Sequence, residues 1–517
     1  MQVRRMIDVS VAAVWLAATV ATGVATVRAV LADGRSRVLA SDSRKRGPFP
    51  KAVQDDLLGH LWLQERFLDL NGGWSRLIGQ RRCNGVIRLG NGHLSRPTTP
   101  LDTAVPAASM DEFSRFCGTL GVRTLFVQCP YKVDPAQSIV PRGAPFDWAD
   151  RNADSFLAGL CETETLDLRP LLAGSAEDVS RNFFRTDHHW TFGAAFAASA
   201  QIARRTLGLL GEPDDAAGAL DESKWEKRTV PRRFLGAVGR RTGPWFGGTD
   251  GIEYLVPAFP TDLLCSTSRR AGRTTVGSGP FVETLLRREV LPPPPSHYRD
   301  TGYSLYGYDR AMVRIENRSA PVRRRIFVVK DSYGTPVVAF LSAVFSEVVA
   351  FDLRHWKAPT MAEVVSVLRP DAVLVLYNPR DLTTKPYFAF WGKGGPPAPP
   401  ERTVLLDRER EVLRGPGRLP LGEGLIRPGD LLCLTVGSAA AADGGGAWAS
   451  VSLVDAATGE TIQQDGVACG VATPQSLLFF VPNREGDYRL VVRSGPDGKR
   501  AKGRIELAGV RLERIGR

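Results

Sequence analysis

Between residues 110 and 377, strand-length apolar runs alternate with helix-length segments. The pattern predicts helices at 110–120, 148–160, 335–345 and 360–369, and strands at 122–128, 165–168, 325–330, 347–352 and 372–377. This alternation indicates an α/β domain, a parallel sheet with helices on both faces. Reacting groups in such sheets gather at the carboxyl ends of the strands. Lys132, Ser332 and Asn378 each lie just past a predicted strand end.

A serine stands at one of these strand ends. In the stretch Phe327–Gly334, a β-branched run ends abruptly at Asp331 and Ser332, and a helix-like segment follows. A serine at a strand-to-helix turn is held out of the sheet, where backbone N–H groups of the turn can face it. The segment therefore predicts a serine nucleophile.

Two of the six histidines lie beside a carboxylate in Asp187-His188-His189, ahead of an apolar helical run at 194–203. Thr186 or Asp187 is expected to cap that helix. An aspartate two residues from a histidine can orient the ring and stabilise the imidazolium that a general base becomes. The alternative is a helix cap followed by two helix-entry histidines. With Ser332, the chain holds the groups of a Ser-His-Asp triad.

The first 45 residues predict a signal-anchor and a basic juxtamembrane stretch. Arg4 and Arg5 precede an apolar run at 9–27, which is long enough to span a bilayer. The rest of the chain is then exported, and an exported chain permits disulfides. Of the seven cysteines, Cys433 with Cys469 is the first candidate pair and Cys83 with Cys265 the second. No spacing of the C-x-x-C type suggests zinc, so we expect no metal and no cofactor.

Length and charge limit the organisation and the partners. A chain of 517 residues predicts two or three domains. The net charge of +12 favours an anionic partner such as acidic polysaccharide or phospholipid head groups, or reflects only a preference for arginine. No basic stretch interleaved with aromatic residues points to nucleic acid.

The main domain is expected at 46–391, with an irregular insertion at about 207–320. From its position, this insertion is expected to lie over the sheet edge and to wall a substrate groove. The domain begins with a helix at 53–70 and a hairpin at 86–94. A glycine- and proline-rich linker at 392–400 ends the alternation. From 401 to 517, short period-2 segments predict an antiparallel β-sandwich of the carbohydrate-binding type, or a purely structural appendage. Trp448 and Phe479 are candidates for stacking on sugar rings or for the sandwich core.

Five motifs in order resemble the DHHW/AlgX–AlgJ family of SGNH-like proteins, which includes alginate O-acetyltransferases. They span about 55 to 390 and are, in chain order, the glycine hairpin Gly85–Leu94, Cys129-Pro130-Tyr131-Lys132, Thr186–Thr191, Lys330–Gly334 and Phe351–Trp356. The resemblance implies an SGNH hydrolase-like fold, with Ser332 as nucleophile, His189 as base and Asp187 as its orienter. His188 is expected outside the triad.

One departure from the family pattern concerns the oxyanion hole. Lys330 stands where a Gly-Asp-Ser motif has glycine. Tyr333, Arg354, Asn378 and Lys132 are candidates for the oxyanion or substrate site.

Three functions fit these residues. The first is an exported, membrane-anchored O-acetyltransferase that takes an acetyl group from a membrane-bound acyl-exporting protein and places it on a polysaccharide. The second is an O-acetyl esterase with the same triad, which differs only in water access to the acyl-enzyme. The third is a non-catalytic polysaccharide-binding scaffold, for which Lys330 is the main reason.

Overall fold

A computed structural model describes most of the chain. The described residues are Ala21, Val24, 64–133, 138–268, 274–307, 310–356, 359–391, 395, 401–414, 417–419, 425–441, 448–471, 474–482, 484–494 and 504–515. The predicted signal-anchor and the first part of the predicted helix at 53–70 lie outside these ranges. Within them, no helix combines the length and the apolar character that crossing a bilayer requires.

The helices are α1 (Gln64–Leu77), α2 (Ala104–Thr119), α3 (Ala149–Ala158), α4 (Arg169–Leu172), α5 (Ala176–Asn182), α6 (Phe192–Leu210), α7 (Pro244–Gly247), α8 (Phe281–Thr284), α9 (Gly334–Leu341) and α10 (Met361–Leu368). The strands are β1 (Arg82–Cys83), β2 (Val86–Arg88), β3 (Leu94–Ser95), β4 (Arg123–Gln128), β5 (Glu164–Asp167), β6 (Trp225–Phe234), β7 (Asp250–Pro257), β8 (Leu263–Ser268), β9 (Thr274–Gly279), β10 (Met312–Asn317), β11 (Val322–Lys330), β12 (Phe345–Phe351), β13 (Ala372–Tyr377), β14 (Arg402–Arg414), β15 (Gly417–Arg418), β16 (Leu431–Ala441), β17 (Trp448–Asp455), β18 (Thr461–Ala468), β19 (Gln475–Phe480), β20 (Tyr488–Ser494) and β21 (Arg504–Ile515).

The central sheet has eight strands in the order β5-β4-β13-β11-β12-β10-β8-β9. The first five run parallel, which confirms the predicted α/β architecture. The other three are antiparallel to their neighbours. These three strands come from the segment that we expected to be an irregular insertion over the sheet edge. For these strands the expectation was wrong, because β8, β9 and β10 extend the sheet itself, so the whole sheet is mixed.

Helices cover both faces of the parallel half, as strand alternation requires. On β11, Ile326 and Val328 join one core with α6 and α9, whereas Phe327 and Val329 join the other core with α2, α3 and α10. All four strand residues are fully buried. The strand is thus fixed from both sides, and Ser332 comes two residues after its end.

The C-terminal residues form two four-stranded antiparallel sheets, β14-β21-β16-β19 and β15-β20-β17-β18, as predicted. Phe479 lies in the core between them. Trp448 packs against Leu264 of the central sheet, and its indole N–H donates to Asp262. Both aromatic side chains are buried, so they belong to the core and to the domain junction, and neither is open to a sugar ring.

The sandwich is joined to the central sheet through buried contacts. Trp356 and Phe480 meet edge to face with their ring centroids 5.3 Å apart. The guanidinium of Arg314 on β10 reaches Asp465 of the sandwich at 2.9 Å. The same guanidinium contacts Glu316 and Glu347 at 2.7 and 2.6 Å. A charge network therefore connects the two domains.

The predicted disulfides were wrong, and all seven cysteines are free thiols. Cys433 faces outward from the sandwich into the core of the main domain, whereas Cys469 lies in the sandwich core. The first candidate pair thus lies on opposite sides of a sheet. Cys83 and Cys265 belong to separate cores, one beside the small β1–β3 sheet and one beside the central sheet.

Candidate active site

Ser332 lies in the turn between β11 and α9, at the carboxyl end of the parallel strands. The buried carboxylate of Asp331 holds this turn. It accepts hydrogen bonds from the backbone N–H of Tyr333 at 2.7 Å and from the side chain of Asn378 at 2.6 Å. Burial and the nearby Asp381 raise the pKa of Asp331 to about 7, even though the backbone N–H groups of Asn378 and Tyr333 and the charge of Arg354 lower it. Asp331 thus supports the nucleophile turn and ties it to the neighbouring strand β13.

Lys330 leaves this turn intact. Its ammonium donates to Thr335 Oγ1 at 3.0 Å, and its aliphatic stem packs over Gly334. A Cβ at position 334 would lie 2.7 Å from Cβ of Lys330, so glycine is needed where the lysine passes. The lysine side chain therefore packs along the first turn of α9.

The histidine segment is a closed loop that ends at α6. An isolated bridge between Phe183 and Trp190 closes it. The three N–H groups of the buried Lys132 ammonium are shared among four main-chain carbonyl oxygens, those of Leu94, Phe184, Arg185 and Asp187, and so hold the loop in place. The expected helix cap was wrong, because Thr191 caps α6 by accepting from the N–H of Ala194.

The loop and the turn bring three side chains into a continuous hydrogen-bonded series. His189 Nε2 lies 2.7 Å from Ser332 Oγ, and His189 Nδ1 lies 2.6 Å from Asp187 Oδ1. Asp187 and His189 are buried, and Ser332 is half-buried. Distances of this size allow a proton to pass from a hydroxyl to an imidazole while a carboxylate holds the ring.

The insertion supplies the partners of Asp187. The backbone N–H of Ala237 donates to Asp187 Oδ2 at 2.7 Å. A Cβ at Gly236 would come within 2.4 Å of Asp187 Cβ, so only glycine allows this approach. Burial alone would raise the pKa of Asp187, but the adjacent His189 and His188 rings hold it well below its usual value. The carboxylate is therefore charged at neutral pH.

His188 and Tyr303 flank the base. His188 Nδ1 lies 3.1 Å from Asp187 Oδ1, and its ring is half-buried. Tyr303 stacks on His189 with ring centroids 3.6 Å apart and planes at 13°. Ligand atoms of Asp187, His188 and His189 lie within 4.8 Å of one another, close enough for a metal ion. Because both His189 nitrogens face Asp187 and Ser332, the arrangement fits proton transfer better than metal binding.

A cavity of about 450 Å³ opens onto the triad. Its volume is in the range of small-molecule sites. Much of its wall comes from the insertion. The lining residues other than the triad include Ala237, Arg240, Arg287, Tyr303, Ser304 and Arg354. The position of the insertion predicted such a wall, but no local pattern marks its individual residues, because they reach the triad only through the tertiary fold.

Of the four expected oxyanion or substrate residues, Arg354 alone lines this cavity. Its guanidinium is held by Asp352 at 2.6 Å. The N–H of Tyr333 is taken up by Asp331, and the Asn378 amide donates to Asp331 and Asp381. Lys132 is occupied by main-chain carbonyls. The geometry therefore makes Tyr333, Asn378 and Lys132 parts of the framework.

Residues 102–240 match the family model described as ALGX, SGNH hydrolase-like domain, acetyltransferase AlgX. The match confirms the resemblance that the motifs predicted. It covers the histidine segment, and Ser332 lies beyond it. No curated protein matches this chain in sequence.

Solved structures that match this chain in part include three proteins. PatB1 of Bacillus cereus is 20% identical, with a TM-score of 0.48 over 58% of this chain and 97% of that one. A DHHW family protein of Eubacterium siraeum is 20% identical, with a TM-score of 0.45 over 61% and 94%. AlgX of Pseudomonas aeruginosa is 13% identical, with a TM-score of 0.31 over 83% and 94%. All three TM-scores lie below 0.5, and none of these likenesses bears on the function of this chain.

Proposed function

Because residues 102–240 match the AlgX-type SGNH hydrolase-like acetyltransferase domain, we propose that this protein is an O-acetyltransferase that modifies hydroxyl groups of a polysaccharide through an acetyl-serine intermediate. The observation that carries the proposal is the Ser332–His189–Asp187 series, with its nucleophile on the wall of a cavity. Ser332 is the proposed nucleophile, His189 the base and Asp187 the residue that orients it.

The reaction has two halves. In the first, Ser332 Oγ bonds to the acetyl carbon while its proton passes to His189 Nε2. The bond from that carbon to the donor then breaks, and the leaving group takes the proton. In the second, a sugar hydroxyl attacks the acetyl-serine and gives its proton to His189. The ester bond to the enzyme breaks, and the proton returns to Ser332 Oγ.

The surrounding charges support these steps. An ionised Asp187 stabilises the imidazolium that forms in each half of the reaction. Arg354 lines the cavity and is the proposed electrostatic partner of the developing oxyanion. Tyr303 covers one face of the His189 ring and limits the orientations open to it.

The proposed setting is the cell envelope, with the chain exported and held to the membrane by the apolar run at 9–27. That setting places the site beside a membrane-bound acyl-exporting donor. Alkaline extraction of the membrane fraction tests the anchor, which should keep the protein with the membrane. Release of the protein by alkali would contradict the proposed anchor.

The enzymatic test uses the full-length protein in detergent with p-nitrophenyl acetate, with and without oligosaccharide acceptors. Ser332→Ala is the test variant, and Ser304→Ala, in the same cavity, is the matched control. Acetyl on the sugar that depends on Ser332 supports the transferase. Acetate release that sugar does not alter identifies an esterase. Oligosaccharide binding without Ser332-dependent turnover would identify a scaffold.

A further inference from the structure

A second cavity, of about 350 Å³, lies beside the one that opens onto the triad. Arg287, Gly307 and Thr335 line both cavities, so the two share a wall. Thr335 is three residues from Ser332, and its N–H donates to the Ser332 carbonyl at 3.3 Å. The second cavity therefore adjoins the cavity that Ser332 lines, although Ser332 itself lines only the first.

The floor of the second cavity is one face of the antiparallel half of the sheet. Cys265 pairs with Ile315, Thr267 pairs with Val313, and Val313 pairs with Ala350. Residues two apart on a strand share a face, so these five side chains lie on the same side. All five line the cavity.

The opposite wall is also largely apolar. It includes Leu285, Tyr306, Val338 and Ala339. Val338 and Ala339 belong to α9, the helix that starts directly after the nucleophile turn. Lys330 also lines the second cavity, and its ammonium donates a hydrogen bond to Thr335 of the shared wall. The lining is thus mainly apolar, with Arg287, Arg310 and Lys330 as its charged members, and the cavity adjoins the one in which an acyl group would be attached.

We propose that this cavity binds the aliphatic tail of an acyl group longer than acetyl, while the carbonyl carbon of that group is bonded to Ser332. This inference rests on the proposed function and extends the group that Ser332 carries from acetyl to a longer acyl chain. The bonds made and broken are those of the acetyl reaction, and the tail takes no part in them. An acetyl group ends in a methyl and leaves such a cavity unused, whereas a butyryl or hexanoyl tail buries its methylenes there.

Gly277 on β9 allows the cavity to be narrowed without disturbing the triad. It pairs with Cys265 and lines the cavity. A Cβ built at Gly277 meets no heavy atom within 4 Å, so a larger side chain has room to enter. Gly251 on β7 is equally open to a Cβ and does not line the cavity. Gly277→Leu and Gly251→Leu are therefore a matched pair of variant and control.

The experiment measures kcat/KM of the full-length protein for p-nitrophenyl acetate, butyrate and hexanoate, with the mass of the Ser332 adduct as a second readout. We expect the butyrate and hexanoate esters to react at least as fast as acetate. Gly277→Leu should lower the rate with hexanoate by about tenfold or more, because the added side chain excludes methylenes of the tail from an apolar site. It should change the acetate rate by less than about twofold. Gly251→Leu should change neither rate.

The inference is overturned if wild-type rates fall steeply beyond acetate while the acetyl adduct still forms. It is also overturned if Gly277→Leu slows all esters alike. In either case the proposed acetyl transfer stands. If no ester forms an adduct at Ser332, the proposed function fails and this inference fails with it.

Discussion

Two clusters of buried charge differ in what they do for this molecule. At the triad, Asp187 faces a histidine, which faces the hydroxyl of Ser332 on a cavity wall. At the domain junction, the guanidinium of Arg314 contacts Glu316 and Asp465. The side chains of Asp187 and Arg314 are each only 4% exposed.

The difference lies in the partners. The triad contains an imidazole that can accept a proton from a nucleophile, whereas the junction centres on a guanidinium that keeps its charge. Burial also raises the pKa of Glu316 to about 7 even though Arg314 lowers it. A shifted pKa therefore does not mark the active site by itself. The active site is marked by a nucleophile, its base and access for a substrate.

The largest expected effect is at the nucleophile. Ser332→Ala removes the atom that bonds to the acyl carbon, so we expect acyl turnover to fall at least about a thousandfold. Turnover of p-nitrophenyl acetate measures this loss. The melting temperature should stay near that of the wild type, because the hydroxyl is half-buried and contributes little to the core. Turnover at the wild-type rate would show that another group carries the chemistry.

Asp187→Asn should lower turnover by about a thousandfold, because an amide favours the wrong tautomer of His189 and cannot stabilise its imidazolium. The side chain has nearly the same shape, so the loop should fold. The decisive readout is kcat, with KM close to the wild-type value. A loss confined to KM would mean that Asp187 positions the substrate instead.

Substitutions at the domain junction should lower the stability of the protein and leave acylation of Ser332 unchanged. Arg314→Met leaves buried carboxylates without their counter-ion, and we expect it to cost about 3–5 kcal/mol of unfolding free energy. An earlier urea transition would show this. Asp407→Asn removes an exposed pair with Arg511 and should cost less than about 1 kcal/mol. Loss of Ser332 acylation in folded Arg314→Met would contradict the separation between the two clusters.

A smaller effect concerns Lys132, the buried charge under the histidine loop. Burial lowers its pKa to about 8 from 10.5. Between those values the unfolded chain binds more protons than the folded one, so stability from this group rises with pH. Relative to Lys132→Met, the wild type should gain about 1 kcal/mol per pH unit above pH 8. Urea unfolding at several pH values measures this difference, and a flat or falling difference would contradict the lowered pKa.

The parallel half of the fold could be predicted from the sequence because its signals are local. Apolar runs such as Phe327–Val329 are strand-length and bounded by turn residues, and the serine follows directly. The Asp187–His189 spacing is also local. In both cases neighbouring residues carry the information, so the triad residues could be named before their distances were known.

The antiparallel strands and the surroundings of the triad could not be predicted, because they depend on contacts between residues that are far apart along the chain. Strands β8 and β10 carry polar and charged residues such as Ser266 and Arg314, which do not resemble a buried strand. These residues are buried because they contact Asp465 of the sandwich, which the sequence pattern presents as a separate domain. Gly236 and Tyr303 reach the triad only when the insertion folds back. The cysteine pairing failed because the sequence does not tell which face of the sandwich Cys433 occupies.

Peptide mapping of the acyl adduct tests the central claim most directly. The full-length protein is mixed with p-nitrophenyl acetate, quenched and digested, and the acetylated residue is located by mass spectrometry, with Ser304→Ala as the control. We expect acetyl on Ser332 in the wild type and in Ser304→Ala, and a strongly reduced amount in Asp187→Asn. Acetyl on another residue, or none on Ser332, would contradict the assignment of the triad.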